Sequence, residues 1–402
     1  MIFEDYSYNI CGPSKNINTT FPPSSQIQSV QHVINEQIPT VKTEQNQPFI
    51  NEQISPVISK QISSFITEQI PPVEEKKEPT ITKNKEEKFK KFIFKKSIEA
   101  HEDNIVCLIE LKNKKIMSGS YDKTIKIWDL NNSNCDTIIH EDECIICLLE
   151  FEPNMLLSGT QSETIQLWDI TKPEKKICSF LGHSLYVNCL VKIDDNYFAS
   201  GSNDADIRIW DYHAKRCIST LEGHQNNIFC LIKLNNDYLC SGSADKTIKI
   251  WDWKNKNCIK SLIGHESWVK SLCQLKNGYI VSGSDDKTIK IWDDGKQIKE
   301  LKGHSDSVKT LCEIDENHIA SASFDKTIKI WDLNKDECIQ TLNEHLDKVI
   351  CIIYHSDGYI ISCSKDKKII IWERSERSER SESSVNILLR NTNDYDTIRH
   401  II

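Results

Sequence analysis

The sequence is poor in the residues and segments that mark several protein classes. Its 402 residues include only 13 glycines, 11 prolines and 3 methionines, and no apolar run approaches the roughly 18 residues of a membrane span. The first residues lack the basic-then-apolar order of a secretory signal. A net charge of −9 gives no general attraction to nucleic acid. We therefore expect a cytoplasmic protein, with the nucleus as a second compartment, that contacts neither membrane nor nucleic acid directly.

Catalytic signatures are also missing. The sequence has no phosphate-binding glycine loop, no convincing metal-ligand spacing and no single marked nucleophile. We therefore expect a protein without catalytic residues, cofactor or metal.

Cysteine, by contrast, is frequent, with 16 residues. Their placement argues against disulfides, because many recur at equivalent positions around a repeated histidine. One group stands six residues after that histidine and another seven before it: Cys107, Cys189, Cys230 and Cys351, then Cys217, Cys258 and Cys338. We expect these to be free thiols that pack as small apolar side chains.

The two ends of the chain differ from its middle. Nine of the eleven prolines precede residue 80, and residues 1–91 are predicted to be a low-complexity, mostly disordered region. Three near copies occur there, at residues 33–39, 49–55 and 65–71. They are either a triplicated docking motif or the product of duplication in a tolerant segment. Residues 374–402, rich in Arg-Ser-Glu, are predicted to be a low-complexity C-terminal tail.

The middle of the chain is a repeat. The segment 282–293 reads Ser-Gly-Ser-Asp-Asp-Lys-Thr-Ile-Lys-Ile-Trp-Asp, and close variants recur seven times. Successive copies of its tryptophan are 39 to 42 residues apart. Each copy contains about four short alternating segments separated by turns, which is the spacing of a propeller blade. The tryptophans are Trp128, Trp168, Trp210, Trp251, Trp292, Trp331 and Trp372.

These motifs resemble the WD40 repeat family, over about residues 92–373. The resemblance implies an all-β fold, a seven-bladed β-propeller, with the terminal regions as tails. It also implies a buried hydrogen-bonded chain of His, Ser, Asp and Trp in each blade, with a structural role. The matching sets are His101, Ser118, Asp122 and Trp128; His183, Ser200, Asp204 and Trp210; His224, Ser241, Asp245 and Trp251; His265, Ser282, Asp286 and Trp292; His304, Ser321, Asp325 and Trp331; and His345, Ser362, Asp366 and Trp372.

The second repeat departs from the pattern. It offers His140, Ser158 and Trp168, but Ser162 stands where the others have Asp. Its histidine also precedes the tryptophan by 28 residues instead of 27. We expect this blade to be the least rigid.

Seven blades need seven outer strands, but the six intervals between consecutive repeats supply only six. We expect residues 92–98 to provide the seventh, so that the start of the domain pairs with its end and covers an edge. The alternative is residues 385–389, which follow the charged run.

The resemblance further implies that partners bind the top face of the ring. In the family this face is formed by the residues three and five after the histidine and by the residue before the turn Asp. The implied positions, blade by blade, are Asn104, Val106 and Tyr121; Cys144, Ile146 and Gln161; Tyr186, Asn188 and Asn203; Asn227, Phe229 and Ala244; Trp268, Lys270 and Asp285; Ser307, Lys309 and Phe324; and Lys348, Ile350 and Lys365.

Nine of these positions form our candidate partner-binding set, because aromatic anchors and clustered lysines are typical of peptide recognition. They are Tyr121, Tyr186, Phe229, Trp268, Lys270, Lys309, Phe324, Lys348 and Lys365. The aromatic side chains are expected to be exposed. The alternative is that the lysines are ordinary surface residues.

The functional prediction is a non-enzymatic interaction scaffold or adaptor that presents a peptide-binding face. Two alternatives are a substrate receptor of a ubiquitin ligase that reads acidic or phosphorylated motifs, and a structural subunit of a nuclear or RNA-processing complex. The expected partners are other proteins or peptides, including acidic or phosphorylated ones. We expect a monomer within a larger complex.

Overall fold

The computed structural model describes residues 89–375, and within that range all regular secondary structure is β-strand. The strands form seven antiparallel sheets of four strands each. The sheets are the blades of a propeller, which confirms the all-β, seven-bladed prediction. The described residues include no helix that could span a membrane.

The first strand of the chain, β1, belongs to the last blade, and the others follow in order. β1 is Phe92–Glu99. Blade one contains β2 Ile105–Glu110, β3 Ile116–Ser120, β4 Thr124–Asp129 and β5 Asn134–His140. Blade two contains β6 Ile145–Glu152, β7 Met155–Thr160, β8 Thr164–Asp169 and β9 Lys176–Leu181. Blade three contains β10 Val187–Lys192, β11 Tyr197–Ser202, β12 Ile207–Asp211 and β13 Arg216–Leu221.

The remaining blades follow the same plan. Blade four contains β14 Ile228–Lys233, β15 Leu239–Ser243, β16 Thr247–Asp252 and β17 Asn257–Ile263. Blade five contains β18 Val269–Gln274, β19 Ile280–Ser284, β20 Thr288–Asp293 and β21 Lys296–Lys302. Blade six contains β22 Val308–Asp315, β23 His318–Ser323, β24 Ile328–Asp332 and β25 Glu337–Leu342. Blade seven contains β26 Val349–Tyr354, β27 Ile360–Ser364, β28 Lys368–Arg374 and, as its outer strand, β1.

The ring closes through β1, as predicted. This strand pairs antiparallel with β28, from Phe92 opposite Arg374 to Glu99 opposite Lys368. Phe92 is almost fully buried and packs with the core between blades six and seven. The alternative closing segment, residues 385–389, lies outside the described residues.

The apolar core lies between neighbouring sheets. The strand sequence that ends in Trp292 alternates, so that Ile289 and Ile291 face one side of the sheet and Trp292 the other. Trp292 packs against Ile248 and Leu262 of blade four. Because each large apolar side chain buried in this way stabilises the fold by about 2–3 kcal/mol, every blade depends on both of its neighbours.

Each first strand contains a β-bulge at the same place. The pairing of first and second strands skips the residue five after the histidine position, as at Lys270, between Val269 and Ser271. A bulged residue is left out of the ladder, and the strand bends so that its side chain takes a new direction. The seven bulged residues are Val106, Ile146, Asn188, Phe229, Lys270, Lys309 and Ile350.

Candidate functional site: the top face and the network beneath it

A buried hydrogen-bonded network in blade four joins the loop before β14 to β15, to the turn after it and to β16. His224 Nδ1 lies 2.7 Å from Asp245 Oδ2, and His224 Nε2 lies 2.7 Å from Ser241 Oγ. Trp251 Nε1 donates to the same hydroxyl over 2.8 Å. One consistent proton arrangement follows: Nδ1–H donates to the carboxylate, Nε2 accepts from Ser241, and the serine oxygen accepts from Trp251.

The same arrangement occurs in blades one, three, five, six and seven. Across the six copies the His–Asp distance is 2.7–2.8 Å, the His–Ser distance 2.6–2.8 Å and the Trp–Ser distance 2.7–2.9 Å. The serines are fully buried and the histidines nearly so. A hydroxyl that is inaccessible and repeated in six blades is suited to holding strands together, not to attacking a substrate.

Blade two corrects the sequence prediction. His140 is exposed at the end of β5 and does not join the network. Glu141 takes its place: Ser158 Oγ and Trp168 Nε1 donate to Glu141 Oε1 over 2.6 and 2.7 Å. The signal was present in the spacing, since Glu141 precedes Trp168 by the 27 residues found in the other repeats.

The aspartates of the network are held in their charged form. Burial alone would raise the pKa of Asp204, but hydrogen bonds from His183 and from the Ser184 and Asp206 amides lower it to about 2. In blade two the balance is reversed, because burial raises the pKa of Glu141 more than Ser158 and Trp168 lower it. The two kinds of network therefore respond to acid with opposite sign.

The implied top-face positions lie together in every blade. The residue before the turn Asp donates its backbone N–H to the carbonyl of the residue three after the histidine position. These seven hydrogen bonds span 2.8–3.0 Å and fix two of the three positions side by side. The third position is the bulged residue, which is left unpaired in the hydrogen-bonded ladder between the first and second strands. The pairs are Tyr121–Asn104, Gln161–Cys144, Asn203–Tyr186, Ala244–Asn227, Asp285–Trp268, Phe324–Ser307 and Lys365–Lys348.

Blades four and five form an aromatic and cationic contact across their boundary. The rings of Phe229 and Trp268 lie 5.6 Å apart at an angle of 35°. Lys270 Nζ lies 3.3 Å from the Phe229 ring centroid and 4.4 Å from that of Trp268. Asp285 Oδ2 is 3.7 Å from the same ammonium, and Ser307 Oγ of blade six donates to the other carboxylate oxygen.

Blades six and seven extend this surface around the aromatic ring of Phe324. Lys309, Lys348 and Lys365 place Nζ 5.4, 4.9 and 6.0 Å from the centroid of Phe324. We call the eight residues Phe229, Trp268, Lys270, Asp285, Lys309, Phe324, Lys348 and Lys365 the lysine–aromatic cluster. It contains four lysines and one carboxylate, which is already engaged by Lys270 and Ser307.

Two of these lysines are poorly solvated. The Lys270 side chain is 8% exposed. Burial, with a smaller repulsion from Lys309, lowers the pKa of Lys270 to about 7, although Asp285 opposes the shift. Burial likewise lowers the pKa of Lys309. An anionic ligand would compensate both groups, because it would replace the solvation that they have lost.

The structure differs from the sequence expectation in exposure. Tyr121, Tyr186, Phe229, Trp268 and Phe324 are half-buried instead of exposed. The reason is that the aromatic side chains of the cluster pack against each other and against the lysine stems. Tyr121 and Tyr186 lie in blades one and three, and all nine implied top-face positions of blades one to three are uncharged. The lysines and the aromatic pair are therefore confined to blades four to seven.

No metal cluster is present in the described part of the chain, where no three His, Cys, Asp or Glu side chains converge suitably. All cysteines between residues 89 and 375 are free thiols, and most are buried or half-buried.

Comparison with known proteins decides the family. The model of the WD domain, G-beta repeat, matches six segments that together cover more than half of the chain: residues 92–129, 174–211, 215–252, 256–293, 295–332 and 336–373. The chain belongs to the WD40 repeat family. The unmatched stretch between the first two segments, residues 130–173, contains the three inner strands of blade two of this WD40 protein, in which Glu141 and Ser162 replace the usual His and Asp.

A solved structure supports the same fold. The crystal structure of the WD40 beta propeller domain of Doa1 matches with a TM-score of 0.66 and 22% identity, over 72% of this chain and 98% of that one. At this identity the likeness concerns the fold alone. A search of curated protein sequences finds no significant match.

Proposed function

We propose that this WD40 propeller is a non-enzymatic interaction scaffold whose lysine–aromatic cluster binds an acidic peptide segment. The WD40 fold is typical of protein-interaction scaffolds. One observation carries the finer proposal: four lysines and one carboxylate meet on a single sector of the top face. Such an excess of positive charge favours ligands of opposite charge and speeds their association.

The cluster also favours an apolar anchor. The Phe229–Trp268 pair and Phe324 offer ring surface next to the ammonium groups. Aromatic residues in partly desolvated pockets are typical binding hot spots. The ligand that fits is a peptide with an apolar side chain beside carboxylates or a phosphoryl group, since charge-assisted hydrogen bonds to lysine would supply the rest.

Binding can be tested with the full-length chain and fluorescein-labelled dodecapeptides. Three peptides share one Phe-Leu anchor and carry three Glu, three Gln or three phosphoserines after it. We expect the Glu and phosphoserine peptides to bind and the Gln peptide to bind at least about 10-fold more weakly. Equal affinity for all three would overturn the acidic-ligand proposal.

The site is tested by a matched pair of double variants. Trp268→Ala with Lys309→Met should weaken binding about 1,000-fold, because two hot spots of about 2 kcal/mol each are removed. Asn104→Ala with Ile146→Met changes the same two kinds of position in the uncharged blades and should bind like wild type. Unchanged binding by the first variant would place the site elsewhere.

Both more specific roles, the ubiquitin-ligase substrate receptor and the nuclear or RNA-processing subunit, would use this face. A ubiquitin-ligase substrate receptor would co-purify with ligase subunits, and a nuclear or RNA-processing subunit with the other members of that assembly. Affinity purification with mass spectrometry, comparing wild type with the Trp268→Ala, Lys309→Met variant, distinguishes them.

A further inference from the structure

Blade seven departs from the repeat at one buried position of its second strand. That strand contains Ser362-Cys363-Ser364, whereas the position of Cys363 is glycine in blades one to five and Ala322 in blade six. On β26, the residue directly opposite Cys363 in the antiparallel register is Cys351. Among the seven described blades, only this one therefore has cysteine at both of these directly facing positions.

The other blades show how little space separates these positions. A Cβ placed on the second-strand glycine of blades one to four would lie 2.5–2.8 Å from the facing cysteine sulfur. In blade seven a real Cβ and a second sulfur occupy that space. Residues directly opposite in an antiparallel pair have Cα atoms about 4.5–5.5 Å apart, which falls within the range that a disulfide bridges.

We propose that Cys351 and Cys363 form a redox-sensitive dithiol, which hydrogen peroxide converts into a cross-strand disulfide of blade seven. This modification site is independent of the acidic-peptide proposal. The two thiols are free in the structure, so it represents the reduced state.

The chemical step balances with peroxide as the oxidant. The Cys351 thiolate attacks one peroxide oxygen, the O–O bond breaks, and the departing oxygen leaves as water after protonation. The Cys351 sulfenic acid is then attacked by the Cys363 sulfur, the S–S bond forms, the S–O bond breaks and a second water leaves. The two thiols lose two electrons, which the peroxide gains.

Cys351 is the more exposed of the two buried thiols and is therefore the first nucleophile. A hydrogen bond from Cys363 lowers the pKa of the Cys351 thiol against the effect of its burial, whereas burial raises the pKa of Cys363. Both side chains are buried, with 9% and 0% of their surface exposed. Across the boundary between blades seven and one, the Cys351 sulfur lies 3.9 Å from the Leu108 carbonyl oxygen and the Cys363 sulfur 3.6 Å from that of Ile105. Access is therefore restricted to small oxidants and excludes bulky thiol reagents.

The disulfide would act on the top face through the hairpin that carries it. Lys348 lies three residues before Cys351 and Lys365 two residues after Cys363, and their backbones are joined by a 3.0 Å hydrogen bond. A bond between the strands would fix this hairpin and oppose opening of the blade at which the ring closes. Oxidation should therefore stabilise the ring.

The test uses the full-length chain treated with hydrogen peroxide, followed by denaturation, alkylation of the remaining thiols and peptide mapping. We expect a peptide linked through Cys351 and Cys363, and a rise in Tm of about 3–6 °C that dithiothreitol reverses. A bulky reagent such as dithionitrobenzoate should leave both thiols unmodified in the native protein. Recovery of both as alkylated thiols after peroxide, or a Cys107–Cys351 linkage instead, would overturn the proposal.

The repeat itself supplies variants that other blades already tolerate. Cys363→Ala reproduces Ala322 of blade six, and Cys351→Ser reproduces Ser271 of blade five. Each should abolish the linked peptide and the peroxide-induced rise in Tm. Cys107→Ser, which alters a neighbouring buried thiol, should retain both. A rise in Tm that persists in Cys363→Ala would show that the stabilisation comes from another reaction.

Discussion

The buried network and the lysine–aromatic cluster lie in the same blades but have opposite electrostatic surroundings. Each aspartate of the network is matched by a histidine and backbone amides, as at Asp245 with His224 and the Gln225 amide. The cluster holds Lys270 and Lys309 with Asp285 as their one nearby carboxylate among the described residues. The paired charges of the network are already stabilised within the protein. The excess positive charge of the cluster would be stabilised by an anionic ligand. The recurring residues therefore hold the ring together, and the residues that vary around it favour binding.

The largest expected effect comes from breaking the network at its centre. Ser241→Ala removes the shared partner of His224 and Trp251 and leaves two buried groups unpaired. We expect the free energy of unfolding to fall by about 2–4 kcal/mol, measured by chemical denaturation, with peptide affinity unchanged below the unfolding transition. Ser305→Ala, an exposed serine, serves as control. An equal effect in both variants would contradict the structural role.

Next in size is the acid response of the network. Because the pKa of Asp204 is lowered to about 2, below its unfolded value of 3.8, its contribution is full above about pH 4. That contribution is lost as the pH falls toward 2. Asp204→Asn should therefore cost about 1–2 kcal/mol at pH 7 and little at pH 2, measured by unfolding across pH. A cost independent of pH would show that the charge is unimportant.

The cluster should respond to pH in a different range. Lys270, with its pKa lowered to about 7 chiefly by burial, is protonated below that pH and neutral above it. Affinity for the Glu peptide should therefore fall about 10-fold between pH 6 and pH 8.5, as measured by fluorescence anisotropy. Lys270→Met should flatten this dependence. A flat profile in the wild type would remove Lys270 from the proposed site.

The smallest effect is expected in blade two. Burial raises the pKa of Glu141 above its unfolded value, so its charge opposes stability as the pH rises through the folded pKa. Glu141→Gln keeps an acceptor for Trp168 and should change the unfolding free energy by less than about 1 kcal/mol at pH 7. Faster amide hydrogen exchange in β7 and β8 than in β15 and β16 would support the prediction that this blade is the least rigid. Equal protection would contradict it.

The regular spacing of tryptophans made the fold predictable. Ile98 lies three residues before His101, as Leu221 does before His224, and this spacing made the closing strand predictable. Blade two was misassigned because His140 and Glu141 are adjacent, and residue type was weighted above the 27-residue spacing. Residue type alone does not show which neighbour enters a buried network, since both could accept hydrogen bonds there, whereas the 27-residue spacing does.

The burial of the candidate lysines could not be read from the sequence. Lys270 and Lys309 belong to a residue type that is mostly exposed. Their burial arises from the bulge, which leaves them out of the ladder, and from aromatic rings: Phe229 of the neighbouring blade lies beside Lys270, and Phe324 of the same blade lies beside Lys309. Contacts between blades depend on which blades are adjacent in the ring and on the direction that each bulged side chain takes.

The most direct test alters the network and the cluster separately and measures both stability and binding in each variant. Peptide affinity and unfolding free energy are measured together for wild type, for Ser241→Ala and for the Trp268→Ala, Lys309→Met variant. Ser241→Ala should lose stability and keep its affinity for the Glu peptide, whereas the double variant should lose affinity and keep or gain stability. If either variant loses both properties in proportion, or if the double variant binds like wild type, the division between a structural network and a binding face is wrong.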